Sequence, residues 1–370
     1  MQMSQQNKLF ITHVIGERLV TPNVRIFEPA DFIKTEPNVY VNFSFFNQLE
    51  TPTLPDDINQ RVQIRQRTLY GSVEQALQNF ASIERNGYIG IAELDDLIPS
   101  LSGETATKSA LLSYMGMQAV QVSTKPLAEF IRPLNPYVKV FPNHLAVLPK
   151  ERNYEAEKQR KIKNCGRDYL TFFFGALNRD TEWQDIMPAL RDVIVEYGSM
   201  IRFKVISDWD FYSELPTPYK EFIGDRKDQY KGRYVPYDVY SETLHTADVA
   251  FLPLHDTPFN RCKTDLKFIE SAGHGAVVIA SPTVYEGVVR DGETGLIYHN
   301  PQQFKECLSA MIVNHEQRTN IARAAYDYVR GERLLSQHYM ERLEWYRELC
   351  GRKEELTQAA KIRAQILLNM

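Results

Sequence analysis

The chain has few of the features that mark several large functional classes. Its 370 residues include only four cysteines, Cys165, Cys262, Cys307 and Cys350, with no C-x-x-C pair. That spacing excludes a zinc ribbon and argues against a disulfide framework. A reducing cytoplasm is the expected setting. No stretch approaches 18 consecutive apolar residues, and the first ten, MQMSQQNKLF, contain no apolar signal region. Neither a spanning helix nor a secretory signal is expected. The formal net charge is only -4. A dedicated nucleic-acid binder needs a strongly basic face, so no nucleic-acid partner is expected. Recognition of phosphate must then rest on a few placed cations.

What is present is ordinary globular composition, 43% hydrophobic and 24% charged, arranged in a regular rhythm. In the first half, strand-like runs at 38–44, 63–70, 88–94, 119–123 and 138–143 alternate with helical patterns at 72–86, 105–117 and 124–131. The second half repeats the alternation, with strands expected at 170–177, 201–207, 232–237, 249–254, 276–281 and 294–300. Helical patterns sit near 182–198, 238–247, 264–273 and 283–289. Strand, helix, strand in series predicts right-handed crossovers and parallel sheets. Runs such as TFFFGAL and VAFLPL suit strands covered on both faces. The fold class is therefore α/β.

The polar segment 149–168 reads as the boundary between halves. The domains expected are 1–150, a linker at 151–168, 169–332, and a helical segment at 333–370. In the last, Leu335, Tyr339, Leu343, Tyr346 and Cys350 recur at helical spacing as one packing stripe. The linker's Lys158, Arg160, Lys161 and Lys163 read as a solvated helix diluted by Glu155 and Glu157. A patch for anionic lipid, and with it a peripheral contact with the inner face of a membrane, stays open as a second reading.

The chemistry concentrates in FNRCKTDLKFIESAGHGAVVIAS, residues 259–281, and DGETGLIYHN, residues 291–300. Thr264 reads as the N-cap of a helix beginning at Asp265. Lys263 then stands at the helix mouth, where the dipole and free N–H groups favour an anion. Lys267 and Glu270 lie one turn apart on one face. In an open α/β sheet this combination faces the crevice at the strands' carboxyl ends. Phosphates would take Lys263 and the helix end, and Glu270 would accept from ribose hydroxyls. The spacing alone leaves a second reading open, a solvated array of ion pairs.

The run from Glu270 to Ser281 resembles the E-A-x-A-x-G-x-P-V-V-A-S segment of retaining GT-B glycosyltransferases. Asp291-Gly-Glu-Thr-Gly-Leu-Ile resembles the D-G-x-T-G-x-L that follows it, and DVYSETLHTADVAFLPL, 238–254, is similar to their stretch before it. In the first half, IGIAELDDLIPS (89–100), VSTKPLAEFI (122–131) and VKVFPNHL (138–145) resemble blocks of a bacterial surface-polysaccharide group. That group also carries a Lys-Ser/Thr-x-x-Lys-x-x-Glu block, as Lys263-Thr264, Lys267 and Glu270 do here. The resemblance implies two facing Rossmann-like domains, an N-terminal acceptor domain and a C-terminal nucleotide-sugar domain. It implies a hexosyltransferase-like glycosyltransferase of polysaccharide biosynthesis, retaining and metal-independent. The nucleotide sugar is a substrate, no cofactor is expected, and the acceptor is a glycan or a lipid-linked glycan.

The donor nucleotide is then expected on Arg179, Lys263, Thr264, Lys267 and Glu270. Asp95 and Asp96 are the expected catalytic pair on the acceptor side, as base or as hydroxyl anchors. Asp95-Asp96 and Asp208-Trp-Asp210 read alternatively as metal ligands or as turn and cap residues. His13, His144 and His274 read as phosphate or hydroxyl contacts, or as loop and packing residues. The sequence departs from the family at Cys262, where many members carry a sugar-binding Glu. It departs again at Gly175-Ala-Leu-Asn-Arg179-Asp, where they carry a phosphate loop. Two other readings follow, a noncatalytic glycosyltransferase-like partner or glycan-binding subunit, and a sugar-nucleotide epimerase on the same fold.

Overall fold

The computed structural model describes residues 7–16, 22–45, 57–101, 105–175, 181–224 and 235–370. The chain divides into two compact units. One comprises Met1–Ala146, Cys262–Thr264 and Leu335–Met370, and the other Val147–Arg261 and Asp265–Leu334.

Among the described residues the N-terminal unit is built on six strands: β1 (Leu9–Ile15), β2 (Val39–Phe45), β3 (Gln60–Gln66), β4 (Ile89–Leu94), β5 (Ala119–Val122) and β6 (Val138–Val140). They pair in parallel in the order β2-β1-β3-β4-β5-β6. The helices Val73–Arg85, Lys108–Met115 and Lys125–Ile131 start on Ser72, Thr107 and Thr124, whose hydroxyls each accept from a backbone N–H three residues on. The apolar face of the sheet is completed from the far end of the chain. Leu343, Tyr346 and Leu349 of the helix Tyr339–Gly351 are buried with Ile11, Ile64 and Ile91. The stripe expected near the C-terminus is thus a packing face, and residues 335–370 belong to this unit rather than standing alone.

The C-terminal unit holds β7 (Leu170–Gly175), β8 (Ile201–Ile206), β9 (Lys220–Ile223), β10 (Val249–Leu252), β11 (Val277–Ala280) and β12 (Leu296–Ile297). These are parallel too, in the order β12-β11-β10-β7-β8-β9. Phe172, Phe174, Phe203, Phe251 and Phe304 form its aromatic centre. The strand expected at 232–237 falls in part on residues that are not described, and its end is corrected. Residues 232–234 lie outside the described ones, and Tyr237 opens the helix Tyr237–His245. A strand the sequence reading did not expect is β9, KEFI, whose half-exposed edge position gives it no continuous apolar run. Pro236, with its preset φ, enters that helix at the N-cap.

The segment expected as a linker contains the helix Tyr154–Cys165, which is part of the C-terminal unit. Buried Asp248 anchors it. Its carboxylate accepts from Lys161 Nζ at 2.6 Å, from Arg152 Nη2 at 3.2 Å and from the Thr171 amide at 2.8 Å. Burial works to raise the Asp248 pKa, but Lys161 and Arg152 outweigh it and hold the carboxyl below its ordinary range.

Candidate functional site

In the C-terminal sheet the strand order reverses between β7 and β10. Open α/β sheets take ligands at such a switch point, at the carboxyl ends of the strands. The first long helix after β10 is Leu266–Gly273. Phe268, Ile269 and Ala272 bury its apolar side, and the helix ends before Gly275, whose φ of +75° favours glycine. A side chain there would also meet Arg152 at 2.9 Å.

Glu270 lies within this buried face at 4% exposure. A buried carboxylate needs partners. Tyr240 supplies one, donating its hydroxyl to Glu270 Oε2 at 3.0 Å. Lys267 Nζ donates to that hydroxyl at 2.9 Å, lies 3.6 Å from Glu270 Oε2 and sits 4.1 Å from the Tyr240 ring centroid. Burial and then the Glu270 charge raise the Tyr240 pKa well above 10, so the phenol stays protonated and donates. An ammonium, a phenol and a carboxylate are thereby locked together. Sequence spacing brought Lys267 and Glu270 to one face; Tyr240 carried no signal beyond its place in the YSETLH helix.

Beside this triad, His274 Nε2 lies 3.2 Å from Ser241 Oγ, and its Nδ1 lies 3.5 Å from His245 Nδ1. Burial first, and then His245, push the His274 pKa down to about 4. The imidazole is neutral at pH 7, a hydrogen-bonding group and not a cation.

The expected cap is corrected. The helix begins at Leu266, with Asp265 at the N-cap and no side-chain capping bond. Arg333 engages the Asp265 carboxylate instead, with Nη2 3.0 Å from Oδ1. Thr264 Oγ1 accepts from Asn143 Nδ2 at 3.1 Å within the N-terminal unit. Lys263 belongs to the same unit and pairs with Asp96 at 3.5 Å. Cys262 is buried in the cluster that includes Ala364 and Leu367, and burial followed by the Asp96 charge raises its thiol pKa. Arg179 lies outside the described residues.

Asp95 and Asp96 follow β4 as expected. Arg67 Nη2 donates to Asp95 Oδ2 at 3.0 Å. Burial raises the Asp96 pKa, with Lys263 and Arg67 opposing it. Just inside the same sheet edge, Gln66, Glu93 and Gln121 sit side by side across β3, β4 and β5. Each is fully buried at 0% exposure. Arg25 Nε donates to Glu93 at 2.7 Å, its Nη1 to the Phe141 carbonyl at 2.6 Å and to Asn143 Oδ1 at 2.9 Å. Tyr346 donates to Gln121 Oε1 at 2.8 Å. Both side-chain polar atoms of Gln66 and one oxygen of Glu93 find no protein partner. The sequence reading missed this cluster. Glu93, the lone acid in the apolar run IGIAEL, was the available signal; Arg25 gave none.

Of the remaining sequence candidates, Asp208 accepts from the Phe211 amide at 2.8 Å and caps the helix Trp209–Glu214. His144 stacks on His338 at 4.0 Å, and His13 stacks on Phe43 at 5.6 Å. Among the described residues no group of three or more His, Cys, Asp or Glu is placed to hold a metal ion.

Two parallel Rossmann-like sheets with a helical C-terminal region define the GT-B architecture, and the chain has that fold. Residues 184–344 match the family model described as "Glycosyl transferase-like". Anabaena HepE in complex with UDP is a solved structure of similar fold, 12% identical, with a TM-score of 0.64 over 92% of this chain and 100% of that one. Sucrose-phosphate synthase from Thermosynechococcus elongatus is 10% identical, with a TM-score of 0.63 over 93% of this chain and 99% of its own. A putative UDP-N-acetylglucosamine 2-epimerase from Listeria monocytogenes is 12% identical, with a TM-score of 0.52 over 92% and 97%. The sequence matches no curated protein.

Proposed function

We propose that this chain is a glycosyltransferase that moves a sugar from a nucleotide-diphosphate sugar to a glycan or lipid-linked glycan, with retention and without metal. The observation that carries the reading is Glu270, a buried carboxylate fixed by Tyr240 and Lys267 on the helix after β10. Its second oxygen is available to ribose hydroxyls, since a carboxylate has about four acceptor positions. HepE was solved with UDP-glucose and with UDP, which supports a uridine nucleotide as the first donor to try.

In this reading the protein's main contribution is electrostatic stabilisation of the departing diphosphate. Lys263, Thr264 and Arg179 are the proposed phosphate contacts, with Lys267 beside them in sequence. Asp95 and Asp96 are proposed to hold or deprotonate the acceptor hydroxyl. A raised Asp96 pKa makes that carboxylate a better proton acceptor than an exposed one. The work is proposed to take place in the cytoplasm, with the enzyme peripheral to the membrane's inner face when the acceptor is lipid-linked.

A fold shared with a putative epimerase supports a second reading, epimerisation of a nucleotide sugar. Incubation with UDP-sugars, with and without oligosaccharide acceptors, separates the two. Transfer requires an acceptor and releases UDP. A changed sugar nucleotide formed without acceptor and without UDP release overturns the transferase reading.

A further inference from the structure

The carboxyl edge of the C-terminal sheet holds the proposed nucleotide site, but the same sheet carries a second concavity at its other end. A cavity of ≈640 Å3 lies where β7, β8 and β9 begin. Six residues of β7 separate the two edges, a distance of roughly 20 Å at ~3.3 Å per residue. Arg160 and Lys161 enter it from the helix Tyr154–Cys165, Arg202 and Lys204 from β8, and Lys220 from the start of β9. Arg202 and Lys204, two apart, share a face of their strand.

The charge balance is one-sided. Lys161 is neutralised by Asp248. Among the described residues Glu221, 62% exposed, is the one carboxylate in the lining, and it stands 3.9 Å from Lys204. Arg160, Arg202 and Lys220 remain without a carboxylate among the described residues. Lys220 instead donates to the Tyr212 and Leu215 carbonyls, each at 2.8 Å, which fixes its ammonium without cancelling its charge. Burial lowers its pKa, the direction expected of a cation losing water without gaining an anion. Arg202 is held in the same way. Its guanidinium carbon lies 3.6 Å from the Tyr169 ring centroid, Nη2 reaches Cys165 Sγ at 3.5 Å, and Nε is buried with no hydrogen-bond partner. A planar guanidinium, stacked and immobile, is suited to a tetrahedral oxyanion.

We infer that this concavity is a binding site for a phosphate or diphosphate group, separate from the nucleotide crevice and not dependent on the reading proposed for it. The group is either the headgroup of an anionic lipid or a soluble phosphate ester. Fixed cations with partly buried stems favour a multiply charged oxyanion over a carboxylate, and added salt should weaken binding by screening the more exposed Arg160.

The test titrates inorganic pyrophosphate into the full chain by calorimetry and, in parallel, co-sediments it with phosphatidylcholine vesicles with and without phosphatidylglycerol. Arg202→Gln removes the guanidinium; the double variant Arg160→Glu, Lys204→Glu reverses two charges outside the hydrophobic core and keeps the test open if the first fails to fold. The expected result is pyrophosphate binding at least tenfold weaker in either variant, with UDP binding unchanged. Loss of vesicle binding in step with it identifies a lipid headgroup as the source. Pyrophosphate binding without vesicle binding identifies a soluble ester. A wild-type chain that binds neither probe, or variants that bind as the wild type does, overturns the site. Since pyrophosphate and UDP are read separately, failure of one leaves the other standing.

Discussion

The Tyr240 hydroxyl donates to Glu270 at 3.0 Å while accepting from Lys267 at 2.9 Å, so one phenol holds both charged groups of the helix Leu266–Gly273. Tyr240→Phe removes that bridge and keeps the ring beneath the Lys267 ammonium. A hydrogen bond to a charged group contributes about 1.5–3 kcal/mol. Urea denaturation of the variant should show a loss of that size, and UDP affinity should fall as Glu270 loses its orientation. Unchanged stability together with unchanged affinity would remove Tyr240 from the site.

The Arg25–Glu93 pair, with side chains 1% and 0% exposed, gives a second prediction. Breaking a buried pair from one side costs about 3–5 kcal/mol, because the other charge is left uncompensated. Arg25→Met should cost that much, and Arg25→Met with Glu93→Leu should cost less than the sum of the two single changes. Chemical denaturation of all four proteins closes the cycle. Strictly additive costs would mean that the two side chains do not depend on each other.

Burial first, and then the Arg342 charge, push the His13 pKa down to about 3, against 6.5 when unfolded. A depressed histidine pKa means that the unfolded chain binds the extra proton. The stability His13 confers is fully present above about pH 6.5 and is lost as pH falls toward 3. Each such group steepens the dependence by up to about 1.4 kcal/mol per pH unit. His13→Leu should flatten the stability profile between about pH 4 and 6, followed by denaturation midpoints. A profile that stays as steep would place the acid sensitivity elsewhere.

Transfer activity should survive chelator, since the proposal assigns the diphosphate charge to Lys263 and Arg179 rather than to a metal ion. Activity lost to chelation and restored by manganese or magnesium would redirect the mechanism to Asp95 and Asp96, or to Asp208 and Asp210.

The architecture was legible because buried parallel strands must be apolar along their whole length, as LTFFFG and VAFL are. Edge strands escape that constraint, so β9 was missed. Lys267 and Glu270 were legible because helical spacing alone brings them to one face. Thr264 was misread as a cap because local sequence cannot show that Arg333, 68 residues beyond Asp265, fixes the carboxylate beside it. Arg25, likewise, meets Glu93 only across 68 positions. Tertiary pairing of this kind leaves no local period to find.

The most direct test of the central claim is calorimetric titration of UDP into the folded wild-type chain and into Glu270→Ala. Loss of charge-assisted bonds to ribose, about 1.5–3 kcal/mol, should weaken UDP roughly 10- to 150-fold. Uridine should bind much more weakly than UDP to the wild type, and Lys263→Ala should narrow that gap. A Glu270→Ala protein that keeps its fold and binds UDP as tightly as the wild type would contradict the account.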